Sequence, residues 1–295
     1  MFVKNFSVAQ GLSQSVVTDM TLDKQGFVWI GTHDGLNRFD GSSFAVYRHQ
    51  PGDSNSLPAS HILRLLADRD DRLWIQTSMG AALFDCSTGR TLHPSFLKAM
   101  KNPFFCRNDL KSIWVYDRQE GLGLVQTSEL QIQRFRPDKN ILADSLHILD
   151  MFCTQQDVYI LATNGNMIVF NSTTHQFRQI NCPLALHATY DCCGTDKKGI
   201  ILWGGLHAGL IGFNPSTQQY ETPACLQDAR VNDIRSIQFD ATNNVMLLGT
   251  DGHGLVVYDY TRNLLDSYTK EQGSFHPHSN HILHSLSDNN GVIYL

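Results

Sequence analysis

What the chain lacks narrows its role first. No stretch of its 295 residues approaches the roughly eighteen consecutive apolar residues of a membrane-crossing helix. The start, Met1-Phe2-Val3-Lys4-Asn5-Phe6, has neither the basic beginning nor the apolar core of a secretory leader, and a leader already removed would leave such a start too. There is no excess of positive charge: 23 Lys and Arg face 28 Asp and Glu, a formal net charge of −5, which gives no electrostatic ground for contact with nucleic acid or an anionic membrane. Seven cysteines are present, Cys86, Cys106, Cys153, Cys182, Cys192, Cys193 and Cys225, yet no CxxC pair stands among them and an odd number leaves one unpaired. They read as small buried apolar residues rather than a disulfide frame. A nucleophile elbow, a P-loop, an HExxH helix and a dinucleotide fingerprint are all missing, and the glycine-rich run 249–254 falls at a hairpin turn. No catalytic residue, cofactor or metal is therefore assigned.

What is there is a repeat. Val16 to Asp23, a turn at 24–26, Phe27 to Thr32, a turn at 33–35, Leu36 to Asp40, a turn at 41–43 and Phe44 to Tyr47 form four short strand signals punctuated by turn residues. Taking Trp29 as anchor, the matching positions are Trp74, Trp114, Tyr159, Trp203, Leu247 and Tyr294, at separations of 45, 40, 45, 44, 44 and 47. Four strands at such a period predict an all-β chain, a β-propeller of four-stranded antiparallel blades. One blade cannot bury both its faces, so the periodic tryptophans belong between blades.

The expected blades are 11–50, 57–96, 97–137, 142–182, 185–223 and 230–270, with 280–295 joining 2–8 in a composite, incomplete seventh. Phe2 to Val8 reads as an outer strand without its blade, and 280–295 as two inner strands whose continuation is cut off. Natural sheets seldom leave such an edge open, which points to a piece of a longer protein.

These residues carry a resemblance. Gly11 to Gly41, with Gly11-Leu12-Ser13, Asp23-Lys24-Gln25-Gly26, Trp29-Ile30-Gly31-Thr32 and Asp34-Gly35-Leu36-Asn37, resembles the two-component regulator propeller repeat, and Leu57 to Asp85 is an eroded copy with Trp74-Ile75-Gln76-Thr77. The resemblance implies the periplasmic N-terminal sensor of a hybrid two-component histidine kinase that signals to transcription. Its partners would be an oligosaccharide, the remaining domains of the same chain and a second copy in a homodimer. Kinase, receiver and DNA-binding motifs are not found in these residues, so direct contact with nucleic acid is not expected.

Two sets of polar residues are candidates for ligand binding. The turns after the second strands offer His33, Asp34, Asn37, Arg38, Asn164, Asn166, His207, Asp251 and His253, on loops of the kind that carry binding on rigid scaffolds. The starts of the first strands offer His61, His147, His187 and His281, expected around one mouth of the central channel. A metal, if the channel is very narrow, or an anionic sugar is one reading of that ring; support of each blade's entry turn is the other. Asp68, Asp70 and Asp71 do not complete a calcium loop, and the local histidine cluster His276, His278, His281 and His284, with Pro277 among them, reads as a solvated linker. A propeller lyase or hydrolase acting on polysaccharide, or a protein-interaction scaffold, is the alternative to a sensor.

Overall fold

The computed structural model describes residues 4–109, 111–137, 146–183, 189–221, 226–270, 277, 279–288 and 290–295. Six four-stranded antiparallel sheets follow one another along the chain, at 17–47, 62–92, 104–135, 148–180, 192–220 and 234–268, each a simple meander with its strands paired in sequence order. A two-stranded sheet, Leu286–Ser287 with Ile293–Tyr294, is the seventh. The first strands of successive blades are neighbours, so the sheets stand around an axis as the blades of a propeller. Helix among the described residues is confined to the four residues Ser95–Lys98 and short 3-10 turns.

The repeat has a local cause in each of its motifs. Asp23 holds the first turn: one carboxylate oxygen accepts from the backbone N–H groups of Gln25 and Phe27, and the other from the indole of Trp29 at 2.8 Å. Asp68 does the same for Arg72 and Trp74, and Asn108 receives the indole of Trp114 at 3.0 Å. An aspartate six residues before a tryptophan thus closes the hairpin and satisfies a buried donor at once. Thr32 fixes the second turn, donating to the carbonyl of Gly35 and accepting from the N–H of Asp34; Thr77 and Thr250 repeat this. Gly31 is small because the next blade presses on it: a Cβ there would stand 2.7 Å from Cγ2 of Ile62. Gly204 meets Ile234 of the next blade in the same way.

Apolar clusters fill each gap between blades. Trp29 packs with Leu65, Leu73 and Phe84 of the second blade, and Trp74 with Phe105 and Val115 of the third. The four tryptophans are at most 2% exposed, as expected for inter-blade core.

Trp203 departs from its expected place. Asp196 pairs through its N–H with the carbonyl of Ile200, so the residue that matches Trp29 is Leu202, which faces the sixth blade. Trp203 comes seven residues after Asp196 rather than six, and strand alternation turns it back toward Tyr159 and Met167 of the fourth blade. Its indole N–H consequently reaches no partner among the described residues.

The ring closes through side chains. Phe6 lies edge-on to Phe39 at 4.6 Å between ring centres and shares a cluster with Leu12, Leu286 and Tyr294. The outer strand expected over 2–8 does not form over its described residues: 4–7 carry no strand, and Val8–Gln10 is a 3-10 turn capped by Ser7. Phe2 and Val3 lie outside the described residues. Ser7 and Gln10 bond reciprocally, satisfying the turn's own backbone groups in preference to a sheet edge.

Candidate functional site

The first strand of each blade lines a central channel. In four blades that strand carries a β-bulge at the same place, between Val17 and Asp19, Ile62 and Arg64, Ile148 and Asp150, and Ile234 and Ser236. A bulge adds one residue and re-aims the next side chain. Here it brings Asp19, Arg64, Asp150 and Ser236 to the channel wall.

These groups bond to one another across the ring. The Asp19 carboxylate accepts from the N–H groups of Met20 and Leu65, at 2.8 and 2.7 Å, so it ties the first blade to the second. Arg64 extends from the second blade to Asp150 on the fourth, 3.2 Å away, and also donates to the carbonyl of Leu149. Its guanidinium lies over the Phe104 ring of the third blade, 4.8 Å from the centre. Burial pushes the Asp19 carboxyl up to about 6, against the lowering pull of its two amide donors and Arg64. His284 is pushed down to about 4, by burial first and the Arg64 charge second.

Asp19, Arg64 and Asp150 are common to two cavities. The larger, about 1010 Å³, holds the starts of the first strands and the turns after several second strands. The smaller, about 360 Å³, opens beside Leu66, Arg107 and Cys153 near the other ends of the first strands. In the larger one, Thr18, Gln76, Tyr116, Ser236, Gln238 and Ser285 each present a buried oxygen that engages no protein group among the described residues. Burial raises the Tyr116 hydroxyl to about 12, which keeps it a donor.

The structure distributes the sequence candidates unevenly. His33, His61 and His147 line the larger cavity, and the rings of His33 and His61 stand 4.3 Å apart. Burial and the neighbouring His33 lower the His61 imidazole. His187 lies outside the described residues. His281 is not in the cavity wall; it is exposed and bonds the Asp251 carboxylate, which Arg235 also holds at 2.8 Å. Asp34 is paired with Arg48 at 3.0 Å. Asn37 is wholly buried, donating to Ser13 and the carbonyl of Ile30, so it braces the blade and is closed to a ligand. Arg38 stacks on Phe27 at 4.5 Å. Asn164 and Asn166 bond within their own turn and to the N–H of Cys182. His207 is exposed beside Asp233, and His253 donates its N–H to Thr250.

Sequence reading missed Asp19, Arg64 and Asp150, and placed His284 with a solvated linker, whereas it lines the larger cavity. The available signal was a charged residue inside an apolar first strand, as in Ile62-Leu63-Arg64-Leu65-Leu66. The ligand atoms of Asp23, Asp71 and Cys86 come within 4.8 Å of one another. Asp23, however, is already fully engaged by its turn and Trp29, and burial holds the Cys86 thiol well above its ordinary range, so the group reads as part of the blade clamp.

Comparison with known proteins agrees with this architecture. The two component regulator propeller family matches residues 11–34. A 54-residue stretch is 54% identical to Histidine kinase P4 of Formosa agariphila, covering 18% of this chain and 4% of that protein. The extracellular domain of the hybrid two component system BT3049 from B. thetaiotaomicron superposes with a TM-score of 0.78 at 20% identity, over 98% of this chain and 40% of that one. That of BT4673 from the same organism gives 0.72 at 21%, over 96% and 37%. The Neurospora crassa Pan2 WD40 domain gives 0.64 at 13%, over 93% and 83%. The chain thus spans well under half the length of the two-component relatives it matches. No helix among the described residues is long and apolar enough to cross a membrane. The chain is thus a ring of antiparallel blades that carries, at residues 11–34, a repeat matching the two component regulator propeller family.

Proposed function

We propose that this propeller is part of the periplasmic sensor of a hybrid two-component histidine kinase, and that it takes an oligosaccharide in the larger chamber of its channel. The family repeat at residues 11–34 supports the first half of this reading. The observation that carries the second is the chamber of about 1010 Å³ lined by polar side chains from several blades, among them His33, Gln76, Asn102, Gln119 and Gln238. Ligand pockets combine volume with a few convergent polar groups, and a polyhydroxylated ligand is the natural complement of such a wall. Binding would act on signalling only so far as it favours one state of the kinase dimer over the other. The propeller itself supplies recognition, and the remaining domains of the parent supply phosphotransfer.

The test is a melting-temperature screen of this chain against a panel of oligosaccharides. A ligand at a hundred times its Kd stabilises by about 2.7 kcal/mol, which is a rise of several degrees for a domain of this size. Response to one glycan class, lost in Tyr116→Phe and Gln76→Leu, is the expected result. Silence toward every glycan, with turnover of a polysaccharide, would replace the sensor by a propeller lyase or hydrolase.

A further inference from the structure

The chamber mouth is electrically lopsided. His33 follows the second strand of the first blade, His61 precedes the second blade, Lys101 precedes the third, Arg118 sits in the third blade's second turn, and His147 precedes the fourth. All five line the chamber, from four consecutive blades, and four of them are exposed. In a propeller the starts of the first strands and the turns between second and third strands share one face, so these groups form one arc of the rim.

Among the described residues, three acids near that arc are otherwise occupied. Asp117 is buried and accepts from the N–H groups of Lys101, Asn102, Gln119 and Glu120. Glu120 is paired with Arg134 at 2.7 Å, and Asp34 with Arg48. Arg118 bonds the carbonyl of Leu146, and Lys101 makes no ion pair among the described residues. On the opposite arc, by contrast, Arg235 is held between Asp191 and Asp251. A chain of net charge −5 therefore carries a basic half-rim over its polar chamber.

We propose that the chamber takes an acidic oligosaccharide, one bearing carboxylate or sulfate-ester groups, with the anionic group at the His33, His61, Lys101 and His147 arc and the sugar hydroxyls on the wall below. This rests on the chamber being the ligand site of the sensor. Cationic and imidazole donors around an anion make charge-assisted hydrogen bonds, stronger than those a neutral sugar would receive. Oriented charge at a cleft mouth also draws the ligand in, an effect that salt weakens.

The experiment is isothermal titration of this chain with three tetrasaccharides of galactose type: the uronate, the sulfated form and the neutral form. The expected result is binding of at least one acidic form, at least about tenfold tighter than the neutral one, weakening as sodium chloride rises. Lys101→Glu and the pair His33→Gln with His61→Gln should each reduce that affinity about tenfold or more while leaving the melting temperature of the free protein unchanged. The uronate and sulfate arms separate the two anionic groups. Equal affinity for the neutral form overturns the acidic specificity and leaves the sensor reading standing. No binding of either acidic form, or binding indifferent to Lys101→Glu, overturns the proposal outright.

Discussion

Arg64 on the second blade meets Asp150 on the fourth at 3.2 Å, crossing over the Phe104 ring of the blade between them. Three blades are thus joined at the axis by one side chain, in addition to the apolar packing that joins neighbours pairwise. Both partners are about a third exposed, so the pair itself is expected to contribute only about 1 kcal/mol. A double-mutant cycle on Arg64→Met and Asp150→Asn, read by urea unfolding, should return a coupling of that size. A coupling of zero would mean that the contact is incidental.

Acid and base at the channel wall should leave opposed signatures. Asp19, at about 6 folded against 3.8 free, holds its proton more tightly in the folded state, so its contribution is present below pH 4 and lost as pH rises through 6. His284, at about 4 folded against 6.5 free, contributes above pH 6.5, and that is lost as pH falls through 4. The two slopes oppose each other between pH 4 and 6. Relative to the parent chain, the stability of Asp19→Asn should rise with pH in that window and that of His284→Gln should fall, each by at most about 1.4 kcal/mol per pH unit. Urea midpoints measured at half-unit pH steps would show both trends.

The tryptophans should not be equivalent. Trp74 donates its indole N–H to Asp68, whereas Trp203 has no partner for its own among the described residues. Replacing Trp74 by Phe deprives a buried carboxylate of a donor, and replacing Trp203 by Phe removes an unsatisfied group. Trp74→Phe is expected to cost about 1–2 kcal/mol more than Trp203→Phe. Equal losses in thermal unfolding would refute the Asp-indole clamp as a source of stability.

Glycine in Trp29-Ile30-Gly31-Thr32 should tolerate no methyl group. Ile62 of the next blade would stand 2.7 Å from an added Cβ, a steric conflict that can be relieved only by separating the blades. Gly31→Ala is expected to cost about 1–3 kcal/mol by overpacking. A cost for Gly31→Ala that is smaller in an Ile62→Ala background than in the parent chain, measured by thermal unfolding, would identify that contact as the cause.

Among the described thiols, Cys153 should react first. It faces Cys106 across the gap between the third and fourth blades, and the hydrogen bond from Cys106 lowers it, while burial raises Cys106, Cys192 and Cys193. Timed iodoacetamide labelling with peptide mapping should find Cys153 modified ahead of those three, and slower in Cys106→Ala. Faster labelling of Cys193 would contradict the arrangement.

Turn chemistry made the blades readable. Asp23, Thr32 and Asp40 act on backbone groups within a few residues, so their spacing survives in the sequence as a period. The channel was harder to see because what places Arg64 and Asp150 there is a bulge, a one-residue slip in pairing that leaves no mark in composition. The same parity argument explains Trp203: counting repeats from the aromatic rather than from Asp196 moves the residue to the wrong face of its strand. Asn37 looked like a surface turn residue because its neighbours are; two of its hydrogen-bond partners, Ser13 and Ile30, are distant in sequence or on the adjoining strand.

Asp19, Arg64 and Asp150 border both cavities of the axis. A propeller axis is often pictured as a bore, through which something passes. This one holds the Arg64–Asp150 ion pair where its two cavities meet, so whatever moved along it would pass a fixed pair of charges.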